Sequence, residues 1–148
     1  MAEPARARLA AFEVTLRRAT RIRWPASGVY GPEDRVAFDP GITDLIDLRY
    51  APSRRSLGRE PVHENLLIEL AQPLSDSVPS LLRIHRVLYR AGTDRLTYQS
   101  TQVVGTLTLV EATPDRYVID AGLSLINPEI DLEHRGTYAL AGRVGVPR

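Results

Sequence analysis

Three features of this chain predict an all-β protein, an antiparallel β-sandwich of about eight to ten strands. Apolar and polar residues alternate with a period of two through most of the β-prone runs. Gly, Pro, Asn and Asp punctuate those runs at short, fairly regular spacing. In the second half the runs follow one another through short turns, which makes antiparallel neighbours the default and predicts a C-terminal meander. A closed β-barrel is the second choice, because eight or more strands in meander order permit closure.

Residues 1–8 read as a short helical turn or a loose tail. The stretch FEVTLRRATRIRW, residues 12–24, fits two templates. As a strand it puts Phe12, Val14, Leu16, Arg18, Thr20, Ile22 and Trp24 on one face, with only Arg18 breaking the apolar row. As a helix its stripe of Leu9, Phe12, Leu16 and Ala19 runs into Arg23, while Val14 and Trp24 point elsewhere. The β-branched Val14, Thr15, Thr20 and Ile22 also suit a pleated surface, so the stretch is read as a strand that bends or bulges at Arg18.

Pro25 ends that strand, and ASGVYGPEDR at residues 26–35 reads as turns. A short strand is expected at 36–38, broken by Asp39, Pro40 and Gly41. At 45–50 the alternation of Ile46, Leu48 and Tyr50 with Asp47 and Arg49 predicts a half-buried strand. Residues 51–61, APSRRSLGREP, read as an exposed, mobile loop. At 64–70 Leu66, Ile68 and Leu70 share a face, and 71–79 is a loop with room for one helical turn. Further strands are expected at 82–89, 96–102, 104–112, 116–126 and 136–146, with Gly105 as a bulge signal. The expected core of this half is Ile84, Leu88, Leu96, Leu107, Leu109, Tyr117, Ile119, Leu123, Leu125, Tyr138, Leu140, Val144 and Val146. On the last strand Ala139, Ala141 and Gly145 share the other face with Arg143. Such small side chains suggest close approach by another part of this chain or by another subunit.

The chain of 148 residues fits one domain, 1–148. A boundary in the 51–61 loop would leave about 50 residues upstream, too few for a comfortable core. All 19 basic residues are arginine, and 18 acids bring the formal charge to +1. That balance argues against a whole-surface nucleic-acid binder, so no nucleic acid is expected as partner. There is no cysteine, hence no disulfide, thiolate metal site or cysteine nucleophile. The start lacks a signal-peptide apolar run, and no window approaches a membrane span, so a soluble, cytoplasmic protein is expected.

Portable catalytic motifs are absent. A phosphate-cradling loop of the GxxxxGK[ST] type needs a lysine, and there is neither GxGxxG, GxSxG, HExxH nor an EF-hand pattern. His63 and His134 have acidic neighbours, but adjacent strand residues point to opposite faces, so no metal is expected. The acids Asp39, Asp44 and Asp47, and Glu129, Asp131 and Glu133, read as turn and solvated residues rather than calcium ligands. No cofactor and no catalytic residue is assigned.

The arginines are the leading contact candidates. Arg17, Arg21 and Arg23 on the first strand and Arg54, Arg55 and Arg59 in the long loop are the candidate contacts for a partner or anion. The competing expectation is that they pair across strands with acids such as Glu13, Asp47 or Glu69. The functional expectation is a non-enzymatic binding or assembly module, contacting a protein partner or itself through strand edges and loops. The alternative is a β-barrel around a small apolar or amphipathic ligand, with Trp24, His85, Tyr98, Tyr117 and Tyr138 lining the pocket. An enzyme with a non-local active site comes third, so the reading leans away from an enzyme.

Overall fold

A computed structural model describes residues 8–24, 28–30, 36–51, 63–92, 97–126 and 139–148. A 3-10 turn, η1 (Arg8–Ala11), is followed by ten strands. They are β1 (Glu13–Arg23), β2 (Gly28–Tyr30), β3 (Ala37–Tyr50), β4 (His63–Leu70), β5 (Ser80–Leu82), β6 (Ile84–Gly92), β7 (Thr97–Ser100), β8 (Val103–Ala112), β9 (Arg116–Leu125) and β10 (Ala139–Pro147). They form two antiparallel sheets, one of six strands in the order β1-β3-β4-β6-β7-β2 and one of four in the order β10-β9-β8-β5. The architecture is an all-β sandwich, and β8, β9 and β10 form the expected meander.

The barrel alternative is corrected: no ladder joins the two sheets among the described residues. β1 and β10 lie near each other without pairing, and η1 packs against β10. A Cβ on Gly142 of β10 would stand 3.3 Å from Leu9 N and 3.4 Å from Ala10 N. This close approach is on the core-facing side of β10, not on the face of Ala139, Ala141 and Gly145 where one was expected.

One core lies between the sheets. Ile46, Leu66, Ile68 and Tyr89 of the larger sheet meet Leu107, Tyr117, Ile119, Leu123, Leu140 and Val146 of the smaller, with Leu9 and Phe12 closing the end. A second cluster, Ile22, Leu45, Leu67 and Leu88 with Trp24, Val36 and Phe38, sits on the opposite face of the larger sheet. Leu88 therefore belongs to a different cluster from the other described residues of the expected core, because it alternates with Val87 and Tyr89, while Leu96 and Tyr138 lie outside the described residues.

The first strand explains this second cluster. Its pairing with β3 slips between Arg18 and Thr20, and Ala19 takes φ 53°, one residue beyond the expected bulge at Arg18. The row from Phe12 to Trp24, expected on one face, is thereby split: Val14 and Leu16 pack on the main core, Ile22 and Trp24 on the outer cluster. The β1–β3 hairpin curls over the outer face, and its tip supplies β2 at the far edge through Val29↔Tyr98. Residues 28–30 are thus a strand inside a segment read as turns.

Three further expectations are corrected. β3 continues through Asp39, Pro40 and Gly41 rather than breaking there. Proline is tolerated because β4 pairs β3 only from Leu45 onward, leaving one side of the earlier part without a ladder. Residues 71–79 contain no helical turn. Finally, the run expected at 82–89 is interrupted at Arg83, where the chain leaves the four-stranded sheet as β5 and enters the six-stranded sheet as β6. A strand that changes sheets makes a corner of the sandwich.

Candidate binding cleft at the sheet corner

The corner at Arg83 holds a cleft of about 260 Å³, walled by Leu70, Gln72, Pro73, Ser75 and Ser77 on one side and β5 with Arg83 on the other. β5 is three residues long and pairs only with β8, through Ser80↔Leu109, Leu81↔Thr108 and Leu82↔Leu107. Among the described residues its far edge has no strand neighbour. Backbone groups on an edge strand are a template for a further strand. Leu81 is 71% exposed, an unusual position for a leucine this close to open backbone.

The opposite wall lacks regular structure yet is held at several points. Asp44, 2% exposed, accepts a hydrogen bond from Leu74 N at 2.9 Å, and Leu74 is itself buried. Thr43 Oγ1 donates to the Leu70 carbonyl, and Ala71 N donates to the Arg83 carbonyl at 2.8 Å. Ser80 Oγ donates to Ser77 O at 2.9 Å, and Ser77 N donates to Ser75 Oγ at 3.4 Å. Asp76 points out of the cleft to Arg148 Nη1, 2.7 Å away. A bond from a backbone N–H to a buried carboxylate contributes about 1.5–3 kcal/mol, so Asp44 fixes the loop. The Asp44 carboxylate also lies 3.7 Å from Arg18, which donates to Tyr117 Oη at 3.4 Å. The tyrosine hydroxyl, and then the carboxylate, hold the Arg18 guanidinium protonated above its ordinary range.

Asp44 and Asp47, read as turn and solvated residues, are buried, as are Glu64 and Glu69. Asp47, 1% exposed, accepts from Arg17 Nε at 3.0 Å, Arg49 Nη2 at 3.1 Å and Asn65 Nδ2 at 2.8 Å. Glu69 accepts from Ile22 N at 3.1 Å and lies 3.5 Å from His85. Glu64 is bonded by Arg8 and by Tyr89 Oη, the latter at 2.5 Å. Burial, and next the Glu64 carboxylate, push the Tyr89 phenol well above its usual range. No group of three or more metal-ligating side chains converges among the described residues.

The predicted contact residues are dispersed. Arg17 is bonded to Asp47 and stacked 4.5 Å from the Phe38 ring. Arg23 pairs with Asp39 at 2.9 Å, while the Arg21 side chain is exposed opposite Asp39 in the register. Cross-strand acids thus take up Arg17 and Arg23. Arg54, Arg55, Arg59 and the 51–61 loop beyond Ala51 lie outside the described residues, as does Tyr138. Trp24 is on the outer cluster beneath Arg86, Tyr117 is in the main core beneath Arg148, and His85 is at the surface. Tyr98 is placed as a backbone position of β7 only. Trp24 and Tyr117 therefore lie on opposite faces of the larger sheet.

Arg83 and Leu81 were not singled out as contacts by the sequence. The available signal was Ser75, Ser77 and Ser80 around Val78 and Pro79, followed by alternation that fails for one residue at Arg83. No family model, curated protein or solved structure matches the chain.

Proposed function

We propose that this protein is a non-enzymatic binding module that takes an extended segment of a partner protein along the free edge of β5. The observation that carries the reading is the conjunction, in one cleft, of an open strand edge and a pinned loop. Edge addition draws its affinity from main-chain hydrogen bonds and its selectivity from pockets for alternate side chains. Leu81 supplies an apolar anchor beside that edge. The bonds to Asp44, Ser77 and Arg83 hold the facing loop in place before a partner arrives, which lowers the ordering cost of association. At about 260 Å³ the cleft falls below the roughly 300–1,000 Å³ of cofactor and drug-sized ligand sites. That size favours one or two side chains of a docked segment.

The test is selection of a displayed library of random peptides on the whole chain, followed by amide hydrogen exchange with the peptides recovered. Slowed exchange at Ser80, Leu81 and Leu82, and about tenfold weaker binding to Leu81→Ala, is the expected result. Recovery of no peptide above background, or protection confined to another surface, overturns the reading.

A further inference from the structure

We infer that the segment taken by β5 carries a carboxylate that pairs with Arg83, an inference that rests on the binding reading above. Arg8, Arg17, Arg18, Arg23, Arg49, Arg143 and Arg148 each reach an acid of this chain. Arg83 is exposed, lines the cleft, and among the described residues its guanidinium makes no hydrogen bond, ion pair or ring contact.

No acid lines the cleft to neutralise it. The one carboxylate of the facing loop, Asp76, is drawn away to Arg148. The other polar lining groups add donors. Ser75 Oγ and Ser80 Oγ are engaged within the loop, whereas the Ser77 hydroxyl and the Gln72 side chain have no partner among the described residues. A guanidinium, a hydroxyl and an amide around one cleft, with no competing acceptor of negative charge, suit a group that only accepts. An ionised carboxylate is such a group, and arginine binds it through two parallel N–H bonds. The backbone of Arg83 is fixed through its carbonyl to Ala71 N, so the guanidinium projects from a defined anchor at the end of the β5 edge.

The carboxylate has two sources, an Asp or Glu side chain or the C-terminus of the partner. Peptides recovered on the whole chain are resynthesised with each side-chain acid replaced by its amide, and separately with an amidated C-terminus. Affinity is measured for the wild type, Arg83→Gln and Arg83→Lys. One acid-to-amide change is expected to weaken binding to the wild type about tenfold or more and to leave binding to Arg83→Gln nearly unchanged. The position of that change identifies the source. Arg83→Lys recovers part of the loss, because it keeps the charge without the two-pronged geometry. Peptides that protect β5 but bind Arg83→Gln as tightly as the wild type overturn the carboxylate and leave strand addition standing. Failure to recover any peptide overturns both. Thermal melting of Arg83→Gln, expected to match the wild type, excludes misfolding as the cause of lost binding.

Discussion

The two sides of the sandwich treat their strand edges in opposite ways. On one side two long strands, β1 of eleven residues and β10 of nine, end their sheets next to each other. There the chain inserts η1, with Leu9 fully buried and Arg8 bonded to the buried Glu64. On the other side the four-stranded sheet ends in β5, three residues long, beside an open cleft. Long bare edges promote indiscriminate pairing, so they are covered, while a very short edge is tolerated in the open. On this contrast the buried contacts of η1 are expected to carry stability, whereas the short edge of β5 is where the proposed binding would fall. Four changes test that division, in order of declining effect on stability.

The largest effect is expected from Arg8→Met, which leaves Glu64 buried with the Tyr89 hydroxyl as its remaining partner. A cost of about 3 kcal/mol is expected by denaturant titration, with new self-association as the β1 and β10 edges are uncovered. Loss of less than about 1 kcal/mol would remove η1 as the device that seals this side.

Alkaline pH attacks the same cluster. The Tyr89 phenol is raised in the folded state, so its contribution is present in full below the unfolded value of about 10 and is lost as pH rises above it. Stability is expected to fall by about 1.4 kcal/mol per pH unit beyond that point on account of this one proton. Tyr89→Phe is less stable at pH 8 but should lack that component of the slope, which denaturation curves between pH 8 and 11 compare directly.

At the open side Asp44→Asn keeps an oxygen for Leu74 N but removes the charge shared with Arg18. About 1–2 kcal/mol is expected, with faster amide exchange confined to residues 72–77. Exchange that rises equally in the main core would mean that Asp44 supports the whole fold and not the cleft wall. The smallest effect belongs to Arg83→Gln, expected to change stability by less than about 0.5 kcal/mol. A larger cost would show that Arg83 serves the fold, and the two sides would no longer divide their roles.

Much of the fold was legible because strand character is local. Leu107 and Leu109, or Ile119, Leu123 and Leu125, reach the core by alternation alone. Legibility failed where the alternation was reset by geometry. One residue at Ala19 turned Ile22 and Trp24 away from Leu16, and one at Arg83 carried what reads as a single strand from one sheet to the other. Nothing in the residues of 26–35 announced β2, whose existence depends on the hairpin reaching the far edge.

The candidate site was less legible for a related reason. Residue order alone indicates strands and the absence of the portable catalytic motifs, and it left arginine–acid pairing across strands as one of two expectations. The three-dimensional fold sets which arginines meet acids, and among the described residues it leaves Arg83, like Arg21, without a side-chain partner. Arg17 and Arg83 each follow a leucine in a β-prone run. One meets Asp47, thirty residues away, and the other finds its nearby Asp76 taken by Arg148, seventy-two residues distant from that acid. Charge pairing is set by distance in space, and spacing along the chain does not encode it.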